Sequence, residues 1–216
     1  HADDHAEHDH GAGAVDPHFW TDPLTVKAIL PALAERLAAL DPDGKDMYRA
    51  NAVRFAAELD ALDKQVQELI APIQGKSVIA FHPSLRYFLK RYGLVYAGCI
   101  EPFPGKEPTP RYLEGVIATL RKTGAKAVFT EPTLPRRPAE AVAEDAGVAL
   151  GEIDVEGGQQ GRQAYVELIR HNAHQLSDAL KWAQTPSKPT AFRSPCAIAL
   201  CSTASPYQFQ QERLLP

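Results

Sequence analysis

Lys76-Ser77-Val78-Ile79-Ala80-Phe81-His82-Pro83 is the stretch on which the fold turns. Its apolar core is short and continuous, preceded by Gly75 and closed by Pro83, which reads as a buried strand rather than part of a helix. A helix follows through Tyr92 and stops at Gly93, the residue type that tolerates a left-handed helix end. The same alternation then repeats. Residues 94–97 read as a second strand, and Thr109-Pro110 opens a helix ending at Gly124. Residues 126–130 read as a third strand, followed by a helix from Arg137 to Gly147. Residues 148–153 are a fourth strand and 160–183 a last helix. Apolar strands alternating with helices predict an α/β fold: a parallel sheet with helices on both faces.

Upstream the pattern is purely helical. Asp22 can cap a helix that Pro23 opens, and apolar residues from Leu24 to Leu40 continue it, with Pro31 expected to bend it. Asp41-Pro42-Asp43-Gly44 ends it. A long helix is predicted over 43–73, with Asp43 as its cap. Phe55, Leu59, Leu62, Val66, Leu69 and Ile73 draw one apolar stripe along it. At 1.5 Å per residue it would reach roughly 45 Å. A coiled-coil arm is one reading. A spine packed along the protein is preferred, because the stripe covers only about three heptads before Pro72 and Gly75 stop it.

Composition excludes several classes. The 216 residues carry a formal charge of -4 with no basic stripe, which argues against nucleic acid. No apolar run approaches the roughly 20 residues of a membrane span. Residue 1 is histidine and no signal peptide is visible, so the chain reads as processed or as a fragment. Cys99, Cys196 and Cys201 are not spaced with histidine like a zinc finger. Residues 184–216 show neither helical nor strand period and read as an irregular tail without an assigned role.

Chemistry concentrates in a few places. Residues 1–10 interleave His1, His5, His8 and His10 with four acidic side chains, a tract suited to weak metal collection within a flexible segment, 1–15. His18 follows in a rigid setting between Pro17 and Phe19-Trp20. In an open parallel sheet, ligands bind beyond the carboxyl ends of the strands. There the first strand ends in His82, the third in Glu131 and the fourth in Asp154, while the loop after the second carries Glu101 and then Gly105-Lys106-Glu107-Pro108. His18, His82 and Asp154 would make a donor set suited to zinc, with Glu131 as a further ligand or as the acceptor behind an imidazole. Each has a plainer reading: His18 as a packed histidine, Asp154 and Glu131 as helix caps. His171 and His174 are either a two-point metal site or, more commonly for such pairs, solvated residues near a helix C-terminus. The three candidate ligands stand 64 and 72 residues apart (18 to 82, 82 to 154), so no local motif certifies them.

Ordered segments along the chain carry a resemblance. Asp16-Pro17-His18-Phe19-Trp20-Thr21-Asp22-Pro23, Phe81-His82-Pro83-Ser84-Leu85-Arg86-Tyr87-Phe88, Tyr92-Gly93-Leu94, Gly105-Lys106-Glu107-Pro108-Thr109-Pro110 and Phe129-Thr130-Glu131-Pro132 come in that order. Together they resemble the zinc and manganese solute-binding proteins of bacterial ABC importers, the cluster A-I type, over residues 1 to about 183. The resemblance implies two α/β lobes joined by one long helix, with metal between them. On that pattern 16–42 is a remnant of the N-terminal lobe, 43–74 the inter-lobe helix and 75–183 the C-terminal lobe. On the same pattern a further histidine ligand belongs to an earlier lobe, of which these residues would hold only the remnant. The resemblance places His18, His82 and Asp154 on metal ligands and Glu131 behind one of them. It implies capture of Zn2+, rather than Mn2+, for a membrane permease, by a monomer in the periplasm or anchored outside the cytoplasm. Histidine at 82, where the manganese branch commonly has glutamate, favours zinc, as an imidazole-rich donor set does. No enzyme activity is implied. The alternatives are a zinc hydrolase with Glu131 as base, against which the absence of His-Glu-x-x-His counts, and a metal-stabilised adhesin.

Overall fold

The computed structural model describes residues 15–102 and 105–182. Two helices come first. α1, Pro23–Leu40, starts where the Asp22 carboxylate accepts from the Leu24 amide, and it remains one helix through Pro31. α2, Lys45–Ile70, is entered through a 3-10 turn at Pro42–Gly44. Gly44 is its N-cap and no side chain caps it, so the expected role of Asp43 is not observed. Asp41 instead accepts from the Tyr48 hydroxyl. With 26 residues α2 is roughly 39 Å long, and a 3-10 turn at Ala71–Ile73 ends it. Leu59, Leu62, Val66 and Ile70 are almost fully buried, whereas Phe55 and Leu69 are only partly so. The stripe packs into the core, which is the spine rather than the coiled-coil arm.

Four parallel strands follow: β1 Ser77–Ala80, β2 Val95–Cys99, β3 Ala127–Thr130 and β4 Ala149–Glu152. They lie in the order β2-β1-β3-β4. The connecting helices are α3 Arg86–Arg91, α4 Pro110–Thr123, α5 Arg137–Ala146 and α6 Tyr165–Trp182. Side chains alternate between two cores, as the two-residue period of a strand requires. Val78, Ala127 and Phe129 pack with α2, α3 and α6 on one face. Ile79, Phe81 and Val128 pack with α4 and α5 on the other. The parallel sheet covered on both faces is therefore observed.

Two glycines are dictated by packing and register. A Cβ on Gly151 would stand 2.5 Å from Cε1 of Phe129, so glycine leaves that ring the room it occupies beside β4. In β2 the register to β1 shifts after Val78, and Gly98 has φ +146, a bulge that lengthens the strand to Cys99. The last helix starts at Tyr165, later than its pattern suggested, because Gly157, Gly158 and Gly161 all take positive φ and form a loop. Among the described residues no helix is long and apolar enough to cross a membrane. Cys99 is a buried free thiol; Cys196, Cys201 and the tail from 183 onward lie outside the described residues.

The strand order sets the site. β1 pairs with β2 on one side and β3 on the other, so connections leave in opposite directions and a crevice opens between the carboxyl ends of β1 and β3. Glu131 follows the end of β3 directly, and His82 follows that of β1 after Phe81.

Candidate metal site

His82 leaves β1 in extended conformation, and Pro83 starts a 3-10 turn after it. Its Nδ1 lies 2.7 Å from Oε1 of Glu131, a carboxylate 3% exposed at its side chain. The Ser84 hydroxyl donates to the same oxygen at 3.1 Å. The contact is an ion pair and not an aligned hydrogen bond; a proton on Nδ1, facing the carboxylate, would leave Nε2 its lone pair in the neutral ring. Burial alone would push the His82 pKa down. Glu131, reinforced by the charges of Glu101 and Glu156, overrides it and raises the pKa above its ordinary value. Glu101 is itself buried and accepts from the Gly105 amide at 2.6 Å.

His18 reaches the same crevice from the segment before α1. Asp16 takes both its amide, at 3.0 Å, and its ring Nδ1, at 2.7 Å, on one carboxylate oxygen. The tautomer argument applies again and leaves Nε2 of His18 open. The segment is pinned to the elements around the sheet at several points. Nε1 of Trp20 donates to the Val155 carbonyl, the Tyr165 hydroxyl donates to the Trp20 carbonyl, and the Tyr87 hydroxyl donates to the Asp16 carbonyl. Arg91 donates through Nε and Nη2 to the two oxygens of Asp22, each at 2.9 Å. The outcome is a pair of imidazoles with ring centres 5.2 Å apart, crossing at 70°.

Asp154 follows β4 and is 3% exposed. Its backbone is clamped by Asn172 of α6, whose Oδ1 accepts from the Asp154 amide while Nδ2 donates to its carbonyl. Oδ1 accepts from the amides of Glu156 and Gly157. Oδ2 is buried without a hydrogen bond and faces Nη1 of Arg162 at 3.5 Å. Among the described residues no three His, Cys, Asp or Glu side chains stand close enough together to hold a metal ion. The histidines are thus brought together, while the Asp154 carboxylate is turned toward its own loop.

The other candidates separate. His171 places Nε2 3.3 Å from Nη1 of Arg162; burial and that guanidinium lower its pKa. A ring facing a cation is a poor metal ligand, so the two-point site with His174 is not formed. His174 lines a shallow groove between α2 and α6 with Gln65, Glu68 and Arg170. His1, His5, His8 and His10 lie outside the described residues. Sequence reasoning passed over Asp16, Ser84, Arg162 and Asn172. Only Asp16 carried a local signal, an Asx residue two positions ahead of the amide that it accepts.

Comparison with known proteins identifies the family. The family model described as zinc-uptake complex component A, periplasmic (ZnuA), matches residues 1–179. The high-affinity zinc uptake system protein ZnuA of Brucella abortus (strain 2308) is 32% identical over 170 residues, 78% of this chain and 51% of the relative. A crystal structure of ZnuA superposes with a TM-score of 0.68 at 31% identity, covering 77% of this chain and 63% of that one. The laminin-binding protein Lmb of Streptococcus agalactiae, described as bifunctional with adhesin and metal-transporting activity, gives 0.67 at 28%, covering 76% and 65%. The chain spans about half the length of the curated relatives it matches. By the family match and these likenesses, the chain belongs to the ZnuA family of periplasmic zinc-uptake components.

Proposed function

We propose that the chain takes part in capturing zinc as a transported cargo, outside the cytoplasm, for delivery to a membrane ABC permease. The observation that carries this reading is the His18–His82 pair, in which each Nδ1 stands 2.7 Å from a carboxylate oxygen. Both Nε2 lone pairs are then left for a cation, and a carboxylate behind a metal-bound imidazole fixes its orientation and raises its basicity. Asp154 would join the two histidines as third ligand once its carboxylate turns from Arg162 toward them, and Oδ2, the oxygen without a hydrogen bond, is the one it would offer. An imidazole-rich set favours Zn2+ over Mn2+, which takes more oxygen donors. Relatives named for zinc uptake support that choice. Residues 1–10 collect zinc weakly ahead of the site.

The chain acts as a binding protein and not as an enzyme. Glu131, the base a hydrolase would need, shares Oε1 between His82 and Ser84, which commits it to orientation. The test is a chelator-competition zinc titration of the metal-free chain beside His18→Ala and His82→Ala. Zinc binding that weakens in both variants is expected. Affinity unchanged in both would overturn the assignment.

A further inference from the structure

Arg162 has no part in holding the two histidines, yet it stands beside the one candidate ligand that faces away from them. We infer that Arg162 is a resident counter-cation of Asp154, one that competes with the incoming metal and moves onto Glu152 when the metal takes the carboxylate. The inference rests on the reading of Asp154 as a ligand.

Nη1 of Arg162 lies 3.5 Å from Oδ2 of Asp154, 3.5 Å from Oε1 of Glu152 and 3.3 Å from Nε2 of His171. The His171 contact is a long hydrogen bond and the two carboxylate contacts are long ion pairs, so a move from Asp154 to Glu152 gives up no short, directed bond. Charge decides the position instead. A buried carboxylate oxygen without a hydrogen bond is costly unless a cation stands by it, and the guanidinium of Arg162 is the cation beside it. The backbone keeps it there. The Arg162 amide donates to the Gln159 carbonyl, and the Arg162 carbonyl accepts from the Gly158 amide. Gly157, at φ +80, allows the loop to close, since a Cβ there would stand 3.1 Å from the Arg162 carbonyl oxygen.

A divalent cation at Oδ2 would feel the guanidinium at close range, and so the two exclude each other. Glu152 offers the displaced group a seat within reach, because its Oε1 already shares Nη1 while Arg136 approaches its Oε2 at 3.4 Å. Zinc entry and Arg162 transfer then form one exchange. The site is stable when empty and still yields its ligand when filled.

The experiment is a zinc chelator-competition titration, with thermal unfolding at zero and saturating zinc, of the full chain and four variants. Arg162→Gln should bind zinc at least about tenfold tighter, melt lower without zinc and gain more on adding it. A purely structural role would weaken binding instead. Arg162→Lys, which keeps the charge, should stay near the parent. Glu152→Gln removes the alternative seat and should weaken zinc binding several-fold, a readout available even if Arg162→Gln does not fold. Asp154→Asn should weaken binding. If Asp154→Asn weakens binding while Arg162→Gln does not tighten it, or Glu152→Gln leaves it unchanged, the exchange is wrong and the ligand assignment stands. If Asp154→Asn has no effect, or zinc never shifts the unfolding of the parent chain, the ligand assignment fails and the exchange with it.

Discussion

The indole Nε1 of Trp20 donates a 2.9 Å hydrogen bond to the carbonyl of Val155, 135 residues further along the chain. Through it the segment that carries His18 is tied to the loop that carries Asp154, while the Trp20 ring also lies 5.3 Å from the His18 ring. Trp20→Phe keeps an aromatic wall and loses the donor, leaving a carbonyl unpaired. A stability loss of about 1 kcal/mol is expected in urea unfolding. Zinc affinity should fall a few-fold, and a titration showing no change would mean that the tether does not position His18.

Glu131→Gln removes the charge behind His82 with little change in volume. Zinc affinity should fall by about 10- to 100-fold, the usual consequence of losing the acceptor behind a metal-bound histidine. The circular dichroism spectrum should stay native. An NMR titration should show the His82 pKa lowered, since burial then acts with only Glu101 and Glu156 opposing it.

Protons compete with zinc at His82. Its folded pKa is raised above 6.5, so the metal-free protein gains stability from this group fully below pH 6.5 and loses that gain as pH rises through the folded value. Zinc binding runs the other way, weakening as pH falls through the same value. Titrations at pH 8 and pH 5.5 should differ strongly in the parent chain and less in Glu131→Gln.

Asp22 joins two tasks, capping α1 and receiving both donors of Arg91. Although burial opposes it, the bonds from Arg91, Thr25 and Leu24 hold its pKa below 3.8. That stability is present above pH 3.8 and is lost as pH falls through the depressed value. Asp22→Asn should cost about 2–4 kcal/mol at neutral pH and flatten the acid limb of the stability profile, both read from urea midpoints between pH 2 and pH 7.

Gly151→Ala tests the contact between β4 and the Phe129 ring. With the new methyl 2.5 Å from a ring carbon, the ring or the strand must move. Overpacking of this kind costs about 1–3 kcal/mol, and a melting temperature equal to the parent's would show that the ring has room to give.

Much of the fold was legible in the chain, because strand length, apolar continuity and punctuation by Gly93, Gly124 and Gly147 act locally. β1, β3 and β4 lie where apolar runs lie, and α4 starts at the expected Thr109 cap, which accepts from the Tyr112 amide. The differences fall where strand pairing or an unforeseen turn outweighs the local signal. Gly98 lengthens β2 by a bulge that pairing with β1 requires, and Gly44 replaces Asp43 as the cap of α2 because the turn after Asp41 is 3-10.

What the amino-acid order settles by itself is the alternation of strands and helices, the helical stripe, and the presence of His82, Glu131 and Asp154 at strand ends. Periodicity and turn chemistry are short-range, and each is decided within a few residues. Only the tertiary structure decides which of those side chains face one another. Strand order brings His82 against Glu131, and Trp20, Tyr165 and Arg91 dock the His18 segment beside them. Asp154, at a strand end like the others, points to its own loop and to Arg162, because the direction of a carboxylate is chosen by the donors around it, and those come from distant parts of the chain.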